Sequence, residues 1–447
     1  MNAFKAYDIR GVYNRDFNKE DVYKIGFFLP QLLKTKKVLV GRDVRTSSPE
    51  IYEYLTKGIT DSGADVYDTG FATTPMIYWG TAQYQFDASV MITASHNPKE
   101  YNGLKFSRTN ALPVGYDSGL QELEQLVLNE KIEVASIKGL IIDFDYQADY
   151  LAFQKEKLKD ISNLNIAVDV SNGMAGLFIR AILGDKVHYI FEDLDGTFPN
   201  HEANPLEPEN IVDAQKLVRE TKADIGVIFD GDADRVMFVD ENARFISPDL
   251  IIALLANHFL KEKTKGVRVL QDIRTSKAVG EYVAKFKGEM HMWRVGRAYA
   301  ALKLREIDGL FGGELAGHYY FKEFFYSDSG LMAACLVLNI VSDFKKKGIS
   351  LSQAIAEIEV YKNSGEINFK IQQKKEAMDA VIAHFKQNGK PDAFYDFDGY
   401  RIEYPDWWLN IRPSNTEPYL RFLAEAKTAE LLEKIVRESK EIIEKYR

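Results

Sequence analysis

Short apolar runs and amphipathic stretches take turns along most of the chain. Residues 37–41 (KVLVG) are apolar but too few for a helix, and they read as a strand buried on both faces. Ser48 and Pro49 follow as cap and first-turn residue of a helix predicted to reach about residue 62. A strand over 64–68, a helix after Pro75 and an apolar strand over 88–92 come next, the last ending in Thr93-Ala94-Ser95-His96-Asn97-Pro98. Beyond a charged helical stretch after Leu120, strands are predicted at 165–170, 186–191 and 223–229, and the third runs into Asp230-Gly231-Asp232-Ala233-Asp234-Arg235. Strands at 236–239 and 267–271 lead a third unit that closes with helices near 331–347 and 351–361. From about Gly365 the order is strand, helix, strands, helix. Strands alternating with helices in this way build three-layer α/β units.

The chain also repeats itself at long range. VLVGRDVRTSS (38–48) and VLQDIRTSKAV (269–279) share a strand, then D-[VI]-R-T-S, then a helix, which aligns Asp43 with Asp272 and Arg45 with Arg274. IAVDVSNGMAG (166–176) is a weaker echo, in which a strand again delivers an Asp to a loop before a helix. The pattern gives three related units and a tail, with no flexible linker between them.

Composition narrows the class without naming the chemistry. An apolar fraction of 46% and 28% charged residues are ordinary for a globular chain, and 447 residues suffice for about three cores. A formal charge of −9 argues against a nucleic-acid partner. Cys335 is the single cysteine and sits in an apolar stretch, so a buried, inert thiol is expected and an internal disulfide is excluded. No apolar run approaches the ~18 residues of a membrane span, and Asp8 and Arg10 precede any signal-like core. A cytoplasmic enzyme or binding protein, without a membrane partner, is the expectation.

Several loops carry candidate chemistry. In an extended segment Asp230, Asp232 and Asp234 fall on one side, where three carboxylates converge on a hard cation such as Mg²⁺ or Ca²⁺. An EF-hand reading fails because Arg235 occupies the position that needs Gly; a solvated acidic turn is the plainer alternative. Ser95 sits exposed at a strand end, as a reactive serine or as a turn residue, and without the G-x-S-x-G elbow of acyl transfer. Lys105, after a Gly turn, could give or take a proton if neighbouring charges depress its pKa. Arg412 directly before Pro413, and Ser414, Asn415 and Thr416 between Pro413 and Pro418, offer a guanidinium, hydroxyls and an amide to a phosphate monoester. Gly312-Gly313-Glu314-Leu315-Ala316-Gly317-His318 is a Gly-rich loop whose carboxylate and imidazole suit sugar hydroxyls.

Taken in order, these loops resemble those of the α-D-phosphohexomutases, in the bacterial phosphomannomutase/phosphoglucomutase group. The resemblance covers essentially the whole chain, from FKAYDIRG (4–11) through TASHNP, DGDADR and GGELAGH to RPSNTEP. It implies three related α/β/α domains with mixed sheets and a smaller α+β C-terminal domain, divided at 1–141, 142–243, 244–364 and 365–447. Those divisions would carry in turn the phosphoserine loop, the metal loop, the sugar loop and a phosphate-binding lid that closes over the cleft. The implied reaction moves phosphate between O6 and O1 of mannose or glucose phosphate through phosphoserine and a sugar 1,6-bisphosphate. Ser95 would be the phosphorylated residue, and Asp230, Asp232 and Asp234 with a Ser95 phosphate oxygen would hold Mg²⁺. Lys105 would transfer protons beside Arg10, Asn97 and Arg235. Tyr7, Glu314, His318, Arg274, Arg297, Arg412, Ser414, Asn415 and Thr416 would bind substrate, in a monomer or homodimer.

Three positions depart from the family's usual pattern. Ala316 replaces a Ser of the sugar loop, Arg297 stands where many relatives have His or Asp and is expected to add a phosphate contact, and Leu315 replaces a Gln common in phosphoglucosamine mutases. Phosphoglucosamine mutase activity, a phosphotransferase phosphorylated on Asp230 within VIFDGD, and a catalytically silent sugar-phosphate binder are the rival readings.

Overall fold

The strand Lys37–Arg42 has apolar residues on both sides, and alternation sends them into two different cores. Val38 and Val40 pack with the helices Lys19–Leu33 and Ser48–Asp61, whereas Leu39 faces the helix Thr74–Gln83. Layering of helix, sheet and helix follows from that division. The computed structural model describes residues 2–261, 266–414 and 419–446.

Four sheets succeed one another along the chain. The first runs Ile9–Val12, Tyr101–Arg108, Ala88–Ile92, Lys37–Arg42, Asp65–Phe71, Ile141–Asp143, with Leu112–Pro113 beside the second strand. Its centre is parallel, and Tyr101–Arg108 enters antiparallel between Ala88–Ile92 and Ile9–Val12. The second sheet runs Phe245–Ile246, Val236–Asp240, Ile225–Phe229, Ile166–Asp169, His188–Ile190. The third runs Glu289–Trp293, Arg268–Asp272, Phe311–Gly313, Tyr319–Phe321, Ser327–Asp328, and both mix parallel with antiparallel pairs. In the fourth, every pair is antiparallel, and the helices Lys374–Gln387 and Ala429–Ile443 pack with the sheet in a core of their own. The chain thus has three α/β/α domains with mixed sheets and a smaller C-terminal α+β domain.

The internal repeat is a piece of geometry. At the end of a parallel strand in each of the first three units, an Asp carboxylate accepts from the backbone N–H two residues on: Asp43 from Arg45 (3.0 Å), Asp169 from Ser171 (2.9 Å) and Asp272 from Arg274 (2.6 Å). This Asx turn swings the chain off the sheet at the strand's carboxyl end.

Three expectations need correction. Ser48 is the first helical residue, not a cap; its hydroxyl donates to Asp43 (2.6 Å) and Ser47 occupies the cap position. Val236–Asp240 closes the second sheet instead of opening the third unit, because it pairs antiparallel with Ile225–Phe229 across the Asp230 loop. The strands Ile9–Val12 and Tyr101–Arg108 have mixed polarity that hid them.

Two features tie the units together. A single apolar cluster runs from Leu39 and Met91 through Val168 and Phe229 to Phe311 and Leu338, spanning the first three units. The fourth docks through buried polar groups, where Glu425 accepts from Ser276 Oγ (2.6 Å), Trp408 Nε1 (2.8 Å) and Asn363 Nδ2 (2.8 Å). Burial beside Asp249 raises the Glu425 carboxyl to about 7. Cys335 lies free in the shared core, its thiol pushed up to about 12 by burial. Among the described residues no helix is long and apolar enough to cross a membrane.

Candidate active site

Ala88–Ile92, buried at every position, ends in a loop that puts Ser95 into the left-handed region at φ +54°. A residue with a side chain adopts that conformation only when its surroundings hold it there. Ser95 N donates to Thr93 Oγ1 (2.9 Å), and the hydroxyl donates to Asp230 Oδ2 (2.9 Å). The side chain is 1% exposed, not open as the sequence reading had it.

Asp230 comes from the second unit, where the tight turn between Ile225–Phe229 and Val236–Asp240 passes through Ala233 at φ +62°. Asp230, Asp232 and Asp234 are fully buried, and one carboxylate oxygen from each lies within 4.8 Å of the others. Close approach of the two loops needs Gly231, since a Cβ there would stand 2.5 Å from Ser95 O. Burial, with Asp232 and Asp234 adjacent, drives the Asp230 carboxyl well above its ordinary range. Burial also raises Asp234, but Lys105, His318 and Arg235 outweigh it and hold that carboxyl low.

Lys105, on the edge-side strand Tyr101–Arg108, places Nζ 2.6 Å from both Asp232 Oδ2 and Asp234 Oδ2. Burial opposes its charge, yet the two carboxylates prevail and raise its pKa. The sequence reading required neighbours to depress Lys105 before it could accept a proton; they do the reverse and keep it an ammonium. Arg10 reaches the same loop from Ile9–Val12, donating to Asn97 Oδ1 (2.9 Å) while paired with Asp8. Burial first, and then the charges of Arg235, Arg10 and Lys105, drive His96 well below its ordinary pKa. Arg235 Nε donates to His318 Nε2 (2.9 Å), which leaves His318 Nδ1 to donate to Asp328 Oδ2 (2.6 Å).

The Gly-rich loop 312–318 stands beside this cluster. Glu314, 3% exposed, accepts from Tyr320 OH (3.0 Å) and Gly296 N (3.2 Å), and burial with Asp272 nearby raises its carboxyl. Tyr7 OH donates to Val295 O (2.8 Å), and its ring fills the place where a Cβ on Gly296 would fall, 2.5 Å away. Asp398 extends the chain of contacts to the fourth unit, accepting from Val295 N (2.8 Å) and from Arg412 (3.1 Å). Arg274 is paired with Asp272 (2.7 Å), and its charge is felt at Glu314 and Arg412. Ser414 N donates to Tyr419 O (2.9 Å), and Asn415 and Thr416 lie outside the described residues. Arg297 is engaged elsewhere than the phosphate expected of it: its guanidinium lies 3.5 Å from the Tyr78 ring centre, 3.3 Å from Asp328 and 3.3 Å from Ala111 O.

The acidic loop fits a divalent cation. Asp232 Oδ1 and Asp234 Oδ1 are buried without a hydrogen-bond donor among the described residues, a costly state that a hard cation relieves. Sequence reasoning missed Thr74, whose Oγ1 donates to Asp232 Oδ2 (2.5 Å), and also Asp328, Asp398 and Arg45. Only Arg45 had a signal, its place in the repeat.

Models of a phosphoglucomutase/phosphomannomutase family match the chain in four successive parts. These are alpha/beta/alpha domain I at 1–133, domain II at 145–243, domain III at 247–361 and the C-terminal domain at 366–442. Phosphomannomutase from Methanocaldococcus jannaschii is 36% identical over 100% of this chain and 98% of its own length. That of Vibrio cholerae is 36% identical over 96% and 95%. A solved phosphoglucomutase/phosphomannomutase family protein from Burkholderia thailandensis superposes with a TM-score of 0.88 at 29% identity, covering 100% of this chain and 97% of that one. Four domain matches in order, full-length relatives and a serine set against three buried aspartates agree: the chain belongs to the phosphoglucomutase/phosphomannomutase family.

Proposed function

We propose that the protein is a phosphohexomutase that moves phosphate between O6 and O1 of mannose or glucose phosphate, by way of phosphorylated Ser95 and a sugar 1,6-bisphosphate. The observation that carries this reading is the Ser95 hydroxyl held 2.9 Å from Asp230 in a buried setting of three carboxylates and three cations, Lys105, Arg10 and Arg235. His96 Nδ1 also lies 3.3 Å from the Ser95 hydroxyl, but the convergence of carboxylates and cations on that hydroxyl serves phosphoryl transfer, which needs positioning and neutralised charge.

In this reading Asp230, Asp232 and Asp234, with phosphorylated Ser95, would hold Mg²⁺. Bound there, the cation supplies neutralisation of charge on the phosphoryl group. Arg10 and Arg235 add fixed positive charge, and Asn97 orients Arg10. As phosphate passes from Ser95 to a sugar hydroxyl, the Oγ–P bond breaks, a sugar O–P bond forms, and one proton moves from the sugar oxygen to Ser95. Lys105, held as an ammonium by Asp232 and Asp234, adds a third fixed positive charge; the raised pKa that keeps it charged makes it a weak proton donor. Glu314 reads sugar hydroxyls and Tyr7 lines the pocket, while His318, with both ring nitrogens taken by Arg235 and Asp328, orients Arg235 instead of the sugar. Arg274, Arg412 and Ser414, with Asn415 and Thr416, cradle the phosphate that is not reacting.

The same reading assigns the four functional regions to 1–141, 142–243, 244–364 and 365–447, and sets the enzyme in the cytoplasm as a monomer or homodimer. The test is a coupled mutase assay with mannose 1-phosphate and glucose 1-phosphate in parallel, with Mg²⁺ and a trace of glucose 1,6-bisphosphate. Turnover on either sugar is expected, and its absence on both would overturn the reading.

A further inference from the structure

Arg45 lies about as deep as any charged side chain in the protein, at 1% exposure, and it touches neither Asp230, Asp232 nor Asp234 by hydrogen bond among the described residues. Its partners are backbone carbonyls of the Ser95 loop. One terminal nitrogen donates to Ser95 O (2.8 Å) and Asn97 O (2.6 Å), the other to Pro98 O (2.8 Å) and Tyr101 O (3.1 Å). Asp43 Oδ2 stands 3.2 Å from Nε as an ion pair, and the four carbonyl bonds fix the guanidinium plane. Four carbonyls from one short loop therefore converge on one planar group, which a Lys ammonium with three donors on a flexible stem does not reproduce.

The second unit covers this group from the other side. Gly196 pairs with the Arg45 backbone as an isolated bridge, so closely that a Cβ at Gly196 would meet Val44 O at 2.2 Å. The Phe198 ring lies 5.0 Å from the guanidinium carbon, a cation–π distance. The loop that carries Ser95 is thus clamped through Arg45 to the same unit that supplies Asp230.

We propose that Arg45 is a positioning residue for phosphoryl transfer: by gripping the carbonyls of Ser95, Asn97, Pro98 and Tyr101 it holds the left-handed turn that aims Ser95 at the acidic loop, with Phe198 as its cover. The inference rests on reading Ser95 as the phosphoryl carrier. A loop released from this grip relaxes Ser95 from φ +54°, and a shift of about 1 Å at a reacting atom costs on the order of 100-fold in rate. Binding groups in the third and fourth units are untouched by the change.

The experiment compares wild type with Arg45→Lys, Arg45→Gly and Phe198→Leu, reading kcat, KM, melting temperature and single-turnover phosphoryl incorporation into Ser95 from glucose 1,6-bisphosphate. Arg45→Lys is expected to remain folded and to lose about 100-fold in kcat and in the incorporation rate, with KM within about threefold of wild type. Added guanidinium is expected to restore part of the rate to Arg45→Gly and none to Ser95→Ala. Phe198→Leu is expected to lose less than Arg45→Lys, in the same parameter. The proposal is overturned if folded Arg45→Lys keeps kcat within about threefold of wild type, or if its loss falls in KM. Should Arg45→Gly not fold, the Arg45→Lys rates decide alone. Failure of wild type itself to incorporate phosphate on Ser95 would instead refute the phosphoserine reading.

Discussion

Ser95 and Arg412 mark the two ends of the proposed chemistry, and their replacements should fail differently. Ser95→Ala removes one hydroxyl from a buried contact with Asp230, so turnover is expected to vanish while the melting temperature stays near that of wild type; normal activity would refute the mechanism. Arg412 is 3% exposed and tied to Asp398, and Arg412→Ala is expected to raise KM roughly tenfold or more, as steady-state kinetics would show. The three aspartates are legible in their own stretch, DGDADR, where alternation sets them on one side, whereas Ser95 alone reads as readily as a turn residue and only the family resemblance singles it out. Asp328, Asp398 and Thr74 could not be read there, since each acts through a partner at least 10 positions away that it meets only after folding. The condition set for Lys105, a pKa depressed by its neighbours, could not be judged locally, because the two carboxylates that raise it lie 127 and 129 residues away.

Strands that are apolar on both faces were the legible elements. Ala88–Ile92 and Ile225–Phe229 lie within the predicted runs because burial on both sides leaves no room for polar residues. Edge-side strands such as Ile9–Val12 and Tyr101–Arg108 carry Arg10 and Lys105 toward the site, and those polar residues broke the pattern that would have revealed them. Loops between elements are constrained by close approach as much as by hydrogen bonds. Gly296→Ala combines φ +121° with a clash against the Tyr7 ring, so a loss of about 1–3 kcal/mol in thermal or denaturant unfolding is expected, with KM rising as Tyr7 is displaced. Unchanged stability would show that the ring moves aside freely.

At the scale of the molecule, the fourth unit joins the rest mainly by polar contacts around Glu425 and Arg401, with one ring stack of Phe397 on Trp293, whereas the first three are fused by a continuous core. Glu425 titrates near 7 when folded and near its ordinary 4.5 when exposed, so the folded state binds its proton more tightly. Its contribution to stability is therefore greatest at low pH, declines as pH rises from about 4.5 to about 7, and is level above that. The whole excursion amounts to roughly 3 kcal/mol. Melting wild type and Glu425→Gln across pH 5 to 8 should show wild type losing ground to the variant as pH rises; parallel curves would remove Glu425 as the cause. A polar junction of this kind is also what a lid requires, and small-angle scattering is expected to show a more compact particle with glucose 1,6-bisphosphate bound.

The unequal joining of the units has a consequence for heating. A core shared by three units gives them no way to come apart singly, so they should unfold in one cooperative step, while the fourth, with its own core, can melt by itself. Calorimetry would then resolve a small early peak ahead of a large one. Since Arg412 leaves with the fourth unit, the enzyme would fall silent at the first peak with most of its secondary structure intact, and would recover on cooling.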